Sequence, residues 1–433
     1  MTFFPSSKLN EAAQLSGFIE RRRKLTATKL VTTLAFWKGD ALGYSDLVAD
    51  IAFKYGSAVT KQSLQEKLDR PQAAVFFQTL VTGALNEAQA ILPRPLVTIP
   101  GVAHIFIADA STLALRGALA AHLPGTGGSG PVASLKIHGL VNMSTQQFAR
   151  IALSDGKTSD HSEKVAHALI LKQGDLIIRD MGYFDIADLD ALQAGGRFYL
   201  TRIPHSTKIF SDLVGNKLDI WSDMAASKRF TLDRPIKVGD EGFVTRLVAL
   251  RLPKDKAKVR LAAMTKERGR PLTKVEKAQA KWNLFMTNLS SEQASVETLQ
   301  HLYSWRWQIE LIWKAWKSVL DIDCVKTATC ESVVTAYIWA RLLYAVVMMT
   351  VRSVLQSARG EEIGIICWFR RLSPQLSTMR DLVRAEKWCA LARLLIALAS
   401  KHCRAEKRHR KTTLENIRES TGLGRFSTGR SKP

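Results

Sequence analysis

Residues 303–317 carry the side chains whose types and spacing best suit chemistry. At about 100° per residue, the polar side chains of this predicted helix fall in one stripe, and apolar side chains fill the other sides. The stripe consists of Tyr303, Arg306, Glu310, Lys314 and Lys317. One carboxylate among cations suits metal binding beside phosphate. A solvated charged face is the alternative, and spacing alone leaves both open.

Two more carboxylates each follow a short apolar run. Asp109 ends the run His-Ile-Phe-Ile-Ala-Asp, and Asp180 ends Leu-Ile-Ile-Arg-Asp. Such runs predict buried strands that present a carboxylate at their end. Either aspartate taken singly is more often a strand-end cap or a turn residue than a ligand.

The spacing Y-x2-R-x3-E-x6-K resembles the YREK motif of the insertion-sequence-four family of bacterial DDE transposases. Tyr303, Arg306, Glu310 and Lys317 match its four named positions. The resemblance implies that Glu310 completes a metal-binding triad with two aspartates upstream.

The contexts of Asp109 and Asp180 also resemble the family pattern. Ser-Thr follows shortly after Asp109, and Gly-Tyr follows Asp180 after one residue. The family often has arginine where this chain has Met181, which removes a phosphate contact but no ligand. The resemblance therefore implies the triad Asp109, Asp180 and Glu310.

Three carboxylates suit the hydrolysis and transfer of a DNA phosphodiester. Two Mg²⁺ ions, or Mn²⁺ as a substitute, activate the nucleophile and stabilise the leaving oxygen, and both ions take carboxylate ligands. Arg306, Lys314 and Lys317 would then hold backbone phosphates. Tyr303 would either hydrogen-bond a phosphate or pack against a neighbouring strand.

The composition favours a nucleic-acid partner. The chain has 433 residues, a net charge of +23 and ten tryptophans, which are rare in the ribosomal or membrane-surface proteins of similar charge. Five cysteines without a CxxC pair disfavour a disulfide framework or a zinc site and indicate a reducing cytoplasm, and the resemblance implies a bacterial protein associated with the nucleoid. The apolar segment 332–351 is predicted to be a buried helix, because Arg341 at its centre is costly in a bilayer.

The elements that must position the carboxylates alternate along the chain. Strands are predicted at 103–109, 133–142, 147–153, 175–180 and 197–203, with helices at 161–172 and 185–194. This order matches an α/β protein with a ribonuclease-H-like core, a mixed sheet flanked by helices. The core would comprise residues 100–203 and 291–357.

Residues 204–290 separate the two parts of the predicted core. They alternate like a β-meander that includes residues 258–264, and they carry many lysines and arginines between 254 and 281. A DNA track is favoured over a solvated loop. The resemblance implies a β-rich insertion domain here, whose Trp282 would stack a base flipped out of DNA. Packing of Trp282 in a strand is the alternative.

The flanking regions are predicted to be helical. Within 1–99, residues 44–68 have a helix-turn-helix pattern in which Lys61 and Gln62 would reach DNA, although any helical hairpin looks similar. Residues 358–433 form a helical region with a basic tail.

Together these features predict a cut-and-paste transposase that acts as a homodimer on double-stranded DNA. It would cleave the inverted-repeat ends of its insertion sequence and join the 3′-OH to target DNA. The alternatives are a metal-dependent nuclease without strand transfer and a non-catalytic DNA-binding regulator.

Overall fold

The computed structural model of the chain describes residues 5–19, 24–37, 43–91, 95, 97–204, 207, 210–239, 242–323, 325, 329–399, 403 and 412–421. Its strands are β1 Ile105–Leu115, β2 Ala133–Asn142, β3 Gln147–Asp155, β4 Leu176–Arg179, β5 Phe198–Arg202, β6 Phe210–Ser211, β7 Thr231–Val238, β8 Phe243–Arg251 and β9 Trp282–Thr287. Its helices are α1 Ser6–Leu15, α2 Ala27–Ala35, α3 Tyr44–Tyr55, α4 Lys61–Leu68, α5 Pro71–Ala90, α6 Lys164–Ile170, α7 Ile186–Ala194, α8 Ile220–Ala226, α9 Lys254–Arg268, α10 Lys274–Lys281, α11 Val296–Trp305, α12 Trp307–Ser318, α13 Glu331–Arg359, α14 Ile365–Leu372, α15 Leu376–Arg384, α16 Trp388–Leu398 and α17 Thr413–Ser420.

One mixed sheet of nine strands joins the described residues, in the order β3-β2-β1-β4-β5-β9-β8-β7-β6. β1 is parallel to β4, and β4 is parallel to β5, whereas β2 is antiparallel to both of its neighbours. All four residues of β4 are buried, as expected of a strand with helices on both faces. The predicted mixed α/β class is confirmed. β1 continues to Leu115, although the prediction ended it at Asp109.

Helix α13 lies in the core on one face of the sheet, packed against α2, α5 and β3. It is the only described helix with the length and mean hydropathy of a membrane span, and 94% of its most apolar window is buried inside the protein. The buried guanidinium of Arg341 donates to the carbonyl oxygens of Ala35 (2.9 Å), Trp37 (2.8 Å) and Leu320. These bonds compensate its loss of water, so the predicted burial of this segment is confirmed.

The predicted helix pair of residues 44–68 is present as α3 and α4. Gly56 ends α3 in the left-handed region (φ +59°), which glycine adopts without strain. The Thr60 hydroxyl then accepts from the Ser63 amide at 3.1 Å and begins α4. Arg380 of α15 donates to Asp50 of α3 at 2.6 Å, so the helix pair also contacts the C-terminal helices.

The segment between β5 and β9 differs from its predicted β-meander. Residues 258–264 belong to helix α9, which is rich in lysine and alanine and ends at Gly269 in the left-handed region. Ala257 is its one fully buried residue, so the helix offers no apolar stripe that would reveal its period. The strands of the segment, β7 and β8, continue the central sheet through β9.

The basic tail predicted at 401–411 falls almost entirely outside the described residues, as does the end of the chain from residue 422. Between them, α17 packs against α11.

Candidate active site

Two neighbouring strands bring Asp109 and Asp180 to the same edge of the sheet. β1 and β4 are parallel, with Ile107 opposite Ile178, so the same register sets Asp109 level with Asp180. The apolar residues before each aspartate are buried and fix the strands against the helices. Asp180 directly follows β4, and the carboxyl end of a parallel strand in an α/β sheet is where ligands commonly bind, whereas β1 continues past Asp109 to Leu115.

Glu310 approaches this edge on α12. Ile309, Ile312 and Trp316 are buried on the back of the helix and hold it against the core. The sequence predicted one continuous helix over 303–317, but the structure has two, α11 and α12, which meet at Arg306. Arg306 at this junction contacts both Glu310 and Asp109.

Arg306 lies among the three carboxylates. Its Nη2 donates to Glu310 Oε1 at 2.7 Å, and its Nη1 is 3.8 Å from Asp109 Oδ1. Burial alone would lower the pKa of Arg306, but the charges of Asp180, Tyr303, Asp109 and Glu310 outweigh it and raise that pKa. The guanidinium is therefore the counterion of all three acids.

Asp109 is largely enclosed, with 19% of its side chain exposed. Burial raises its pKa to about 6, although the charge of Arg306 and a hydrogen bond from Trp313 oppose the rise. Trp313 Nε1 donates to Asp109 Oδ2 at 3.1 Å. Trp313 was expected only on the apolar back of the helix, and its position three residues after Glu310 is the signal that places it beside the site.

Tyr303 packs against a neighbouring strand, which is one of the two roles that the sequence left open, and its hydroxyl bonds an acid; a phosphate contact stays a prediction. Its hydroxyl donates to Asp180 Oδ1 at 3.0 Å, and its ring lies 5.1 Å from the ring of Phe285 in β9. Burial, followed by the charge of Asp180, raises its pKa, so the hydroxyl keeps its proton at neutral pH. Tyr303 therefore orients Asp180 in this structure.

The two lysines of the stripe differ in their surroundings. Lys317 Nζ donates to the carbonyl oxygen of Thr112 in β1 at 2.8 Å, and burial lowers its pKa. Lys314 is exposed to solvent. Both remain on the α12 side of the site, where they can meet a polyanion.

The donor set matches a hard divalent cation, because all three ligand candidates are carboxylates. Among the described residues, however, no three His, Cys, Asp or Glu side chains are close enough to hold a metal ion as they stand. The position between the acids is taken by the cationic group of Arg306. A metal ion shared by all three acids would require the guanidinium to leave and the carboxylates to draw closer together.

Trp282 is 2% exposed and lies in the core beneath the second face of the sheet, with the guanidinium of Arg251 5.7 Å from its ring. A flipped base cannot reach a ring buried in this way. In this structure Trp282 packs in the core, which favours the alternative role, and its stacking on a base stays a prediction.

Trp307 is an aromatic residue that the sequence analysis missed. It is 57% exposed, directly follows Arg306 and precedes Glu310 by one helical turn. The sequence could have indicated this residue, because Trp307 lies three positions before Glu310, on the same part of the helix surface, and outside the apolar stripe.

Lys61 and Gln62 lie on the exposed side of α4, which packs on α3 and α5. The structure does not bring them to the carboxylates. Gln62 is exposed, and its Nε2 donates to Glu66 Oε1 at 3.2 Å on the same surface.

Comparison with known proteins gives matches over most of the chain. Residues 100–346 match the family model described as "Transposase DDE domain". The chain is 24% identical over 441 residues to the transposase of insertion sequence element IS231F of Bacillus thuringiensis subsp. israelensis, covering 94% of this chain and 91% of the relative. It is 23% identical to that of IS1151 of Clostridium perfringens, covering 99% and 96%.

Two further comparisons are similar in kind. The transposase of IS421 of Escherichia coli is 26% identical over 356 residues, covering 78% of this chain and 88% of the relative. Among solved structures, a piggyBac transposase synaptic complex with hairpin DNA matches with a TM-score of 0.49 and 12% identity, covering 95% of this chain and 85% of that one.

Proposed function

The chain belongs to the family of DDE-domain transposases, and on that premise we propose that Asp109, Asp180 and Glu310 are its three catalytic acids. The matched family model spans more than half of the chain and contains all three. The predicted transposase function is confirmed, as is the resemblance to the insertion-sequence-four family. The assignment of roles to individual residues rests on the geometry of the site.

One observation carries the assignment: carboxylates from β1, from the residue after β4 and from α12 share a single counterion, Arg306. Three acids drawn from elements far apart in sequence gain nothing from proximity unless a cation is bound between them. Without a cation between them, three carboxylates in a half-buried site would repel one another and destabilise the fold. Their convergence therefore supports cation binding.

Members of this family use a divalent metal, and we propose two Mg²⁺ ions held by these three acids. When bound, such ions lower the pKa of an attacking water and neutralise charge on the leaving oxygen. In the metal-free protein burial raises the pKa of Asp109 to about 6, and a bound cation would favour the ionised carboxylate that serves as a ligand. The Tyr303 hydroxyl, bonded to Asp180, keeps that carboxylate turned towards the site.

The basic groups of α12 are proposed to bind the DNA backbone. Lys314 is exposed, and Lys317 lies beside the strand that carries Asp109. Arg306 is suited to a phosphate because its planar guanidinium can donate two parallel hydrogen bonds. With these cations around the acids, the scissile phosphate and the carboxylates can approach each other without direct repulsion.

Trp307 takes over the role that was predicted for Trp282. Its half-exposed ring projects next to Arg306 and could stack on a base extruded from a DNA end, a contact worth about 1–3 kcal/mol. Among the described residues, Trp307 is the exposed aromatic side chain nearest in sequence to Glu310.

DNA recognition is proposed for two further surfaces. The exposed side of α4, with Lys61 and Gln62, would read the inverted-repeat ends, and α9 would track the backbone. Most basic side chains of α9 point to solvent, namely Lys254, Lys256, Lys258, Lys266 and Arg268. Recognition and phosphate attraction would then reside on different helices.

The finer fold and assembly are also part of the proposal. The order β3-β2-β1-β4-β5, with β2 antiparallel, supports the ribonuclease-H-like core predicted for residues 100–203 and 291–357. A homodimer would handle the two ends of the element and join their 3′-OH groups to target DNA. The reaction would take place on the bacterial nucleoid in the cytoplasm.

The test is cleavage of a terminal-repeat duplex by Asp109→Asn, Asp180→Asn and Glu310→Gln in Mg²⁺. We expect each variant to bind the duplex within about threefold of the wild type and to lose at least about a thousandfold in cleavage, because binding depends on phosphate contacts and cleavage on the ligands. Lys61→Gln is the control that should weaken binding and spare the cleavage of bound DNA.

A variant that cleaves near the wild-type rate removes its residue from the triad. Cleavage without joining of the 3′-OH to a target plasmid would identify the protein as a nuclease. Specific binding by a wild type that does not cleave would identify a regulator.

A further inference from the structure

Arg306 occupies the place between the acids that a metal ion would take. Its guanidinium contacts Glu310 at 2.7 Å and Asp109 at 3.8 Å, and the charge of Asp180 acts on it most strongly of the neighbouring groups. No group of three potential metal ligands is assembled among the described residues. A protein cation and a metal ion cannot share this position, because both need the same carboxylate oxygens.

We propose that Arg306 is a displaceable internal cation that keeps the DNA-free protein from binding metal, and that a DNA phosphate draws it away. The inference rests on the proposed function, since it takes Asp109, Asp180 and Glu310 as the metal ligands. It adds that Arg306 couples DNA binding to metal binding. Arg306 is then a positioning residue in the free protein and a phosphate contact in the complex.

The contacts of Arg306 show why it can be displaced. One hydrogen bond, to Glu310, holds its Nη2, while its Nη1 lies 3.8 Å from Asp109, beyond hydrogen-bonding distance. Its Nε is buried without a partner. The ring of Tyr303 lies 6.0 Å from the guanidinium carbon. Charge therefore holds this group more than hydrogen bonding does, and a phosphate offers it the hydrogen bonds it lacks.

Arg306 lies at the junction of two helices and is partly open to solvent. It is the residue between α11 and α12, with helical φ and ψ of −50° and −32°, and its side chain is 17% exposed. Trp307, the next residue, is more than half exposed. Rotation about the side-chain bonds of Arg306 would carry the guanidinium from the acids towards solvent without disturbing the buried residues of either helix.

Linkage makes the proposal quantitative. If the guanidinium and the metal ion compete, removing the positive charge raises metal affinity in the absence of DNA, and DNA raises the affinity of the wild type by a related factor. Coupling between two sites is commonly 5- to 150-fold, and we expect about tenfold or more here. The coupling would confine metal-dependent hydrolysis to DNA that is already bound.

The experiment titrates Mn²⁺ into the full-length, DNA-free protein and follows the free ion by electron paramagnetic resonance. Binding at the acids is defined as the part that Asp180→Asn removes. Arg306→Gln should bind Mn²⁺ at least about tenfold more tightly than the wild type. Arg306→Lys, which keeps the charge, should restore weak binding. If the Arg306→Gln protein does not fold, Arg306→Met is measured in its place, because methionine is also uncharged and has an unbranched side chain.

Arg234→Gln is the matched control, because Arg234, like Arg306, is partly buried, donates one hydrogen bond to a carboxylate, here Asp223 at 3.2 Å, and has an Nε without a partner. It should leave Mn²⁺ binding unchanged. A short DNA duplex of arbitrary sequence should raise the Mn²⁺ affinity of the wild type more than that of Arg306→Gln, since only the wild type has a guanidinium that DNA can draw away from the acids.

Equal or weaker binding by Arg306→Gln and Arg306→Met, with a component that still depends on Asp180, would overturn the inference and leave the proposed acids in place. Mn²⁺ binding that never depends on Asp180, with or without DNA, would overturn the proposed metal site as well. The two failures are therefore distinct.

Discussion

Gly139→Ala should impair catalysis although Gly139 carries no chemical group. Gly139 lies on β2 directly opposite Asp109 of β1. A Cβ at this position would lie 2.7 Å from the terminal carbon of the Trp313 ring and 3.2 Å from a ring carbon of Phe148. Trp313 is the side chain that donates to Asp109, so the added methyl group acts on the site through one indole.

The size of the effect follows from these distances. Carbon atoms in contact prefer about 3.5–4.0 Å, so the indole has to move by about 0.8 Å or more. A displacement of this size stretches the 3.1 Å hydrogen bond from Nε1 to Asp109 beyond a useful length. Overpacking a core costs about 1–3 kcal/mol of unfolding free energy. A misplacement near 1 Å can cost about a hundredfold in rate.

The assay compares urea unfolding and Mg²⁺-dependent cleavage for wild type, Gly139→Ala and Gly83→Ala. A methyl group added at Gly83 of α5 would meet no atom within 4 Å, and this residue is exposed. Alanine there should stabilise the helix by up to about 1 kcal/mol and leave cleavage unchanged. Gly139→Ala should lose about 1–3 kcal/mol and about ten- to a hundredfold in cleavage.

A double-mutant cycle tests the cause. Trp313→Phe removes the clashing ring atoms, so combining it with Gly139→Ala should cost less stability than the two changes added separately, by about 0.5–3 kcal/mol. Additive costs, or a Gly139→Ala protein with undiminished stability and cleavage, would refute the view that close packing of Trp313 holds Asp109 in place.

Three further predictions address other parts of the protein. Burial lowers the pKa of His167 from 6.5 to about 3, so only the unfolded state gains a proton between these values and stability falls as the pH drops from 6.5. Between neutral pH and pH 5 the wild type should lose about 2 kcal/mol of unfolding free energy, a loss that His167→Gln should not show. Equal losses for the two proteins in urea unfolding would contradict this. Trp307→Ala should slow the steps after the first nick about ten- to a hundredfold. Trp282→Ala should instead lower the free energy of unfolding by about 3–5 kcal/mol. If Trp282→Ala slows those steps and Trp307→Ala lowers stability, the stacking role belongs to Trp282. Replacing both Lys254 and Lys258 by glutamine should reduce the slope of log binding constant against log salt by about 1.8, and an unchanged slope would exclude α9 from the DNA surface.

The sequence predicted the strands of the first core part well because each has a clear physical signature. β4 is a short apolar run buried on both faces, and Asp180 follows it directly. The turn between α3 and α4 was readable because Gly56 and Thr60 are a typical helix end and a typical N-cap. Local chemistry determines such features, and local chemistry can be read from a single sequence.

Features that depend on distant contacts could not be read in this way. α9 was predicted as a strand because its apolar residues alternate over a few positions, and an almost fully exposed helix has no buried stripe to show a different period. The burial of Trp282 and the exposure of Trp307 depend on what packs above each ring. The YREK spacing predicted which residues share a face, but it held no information on Arg306 bridging acids from three elements.

The pairing of β5 with β9 has a consequence for how the protein matures during synthesis. About 80 residues separate these two neighbouring strands, so the sheet closes only after the whole intervening segment has been made. The ribosome needs roughly 7–26 s to travel from Asp180 to Glu310 at 5–20 residues per second. Arg341, still later in the chain, supplies the bonds that hold the carbonyl groups of Ala35 and Trp37. A chain that ends before Glu310 thus lacks both the proposed third acid and the bonds of Arg341 to the N-terminal region, and a chain that ends between Glu310 and Arg341 still lacks those bonds.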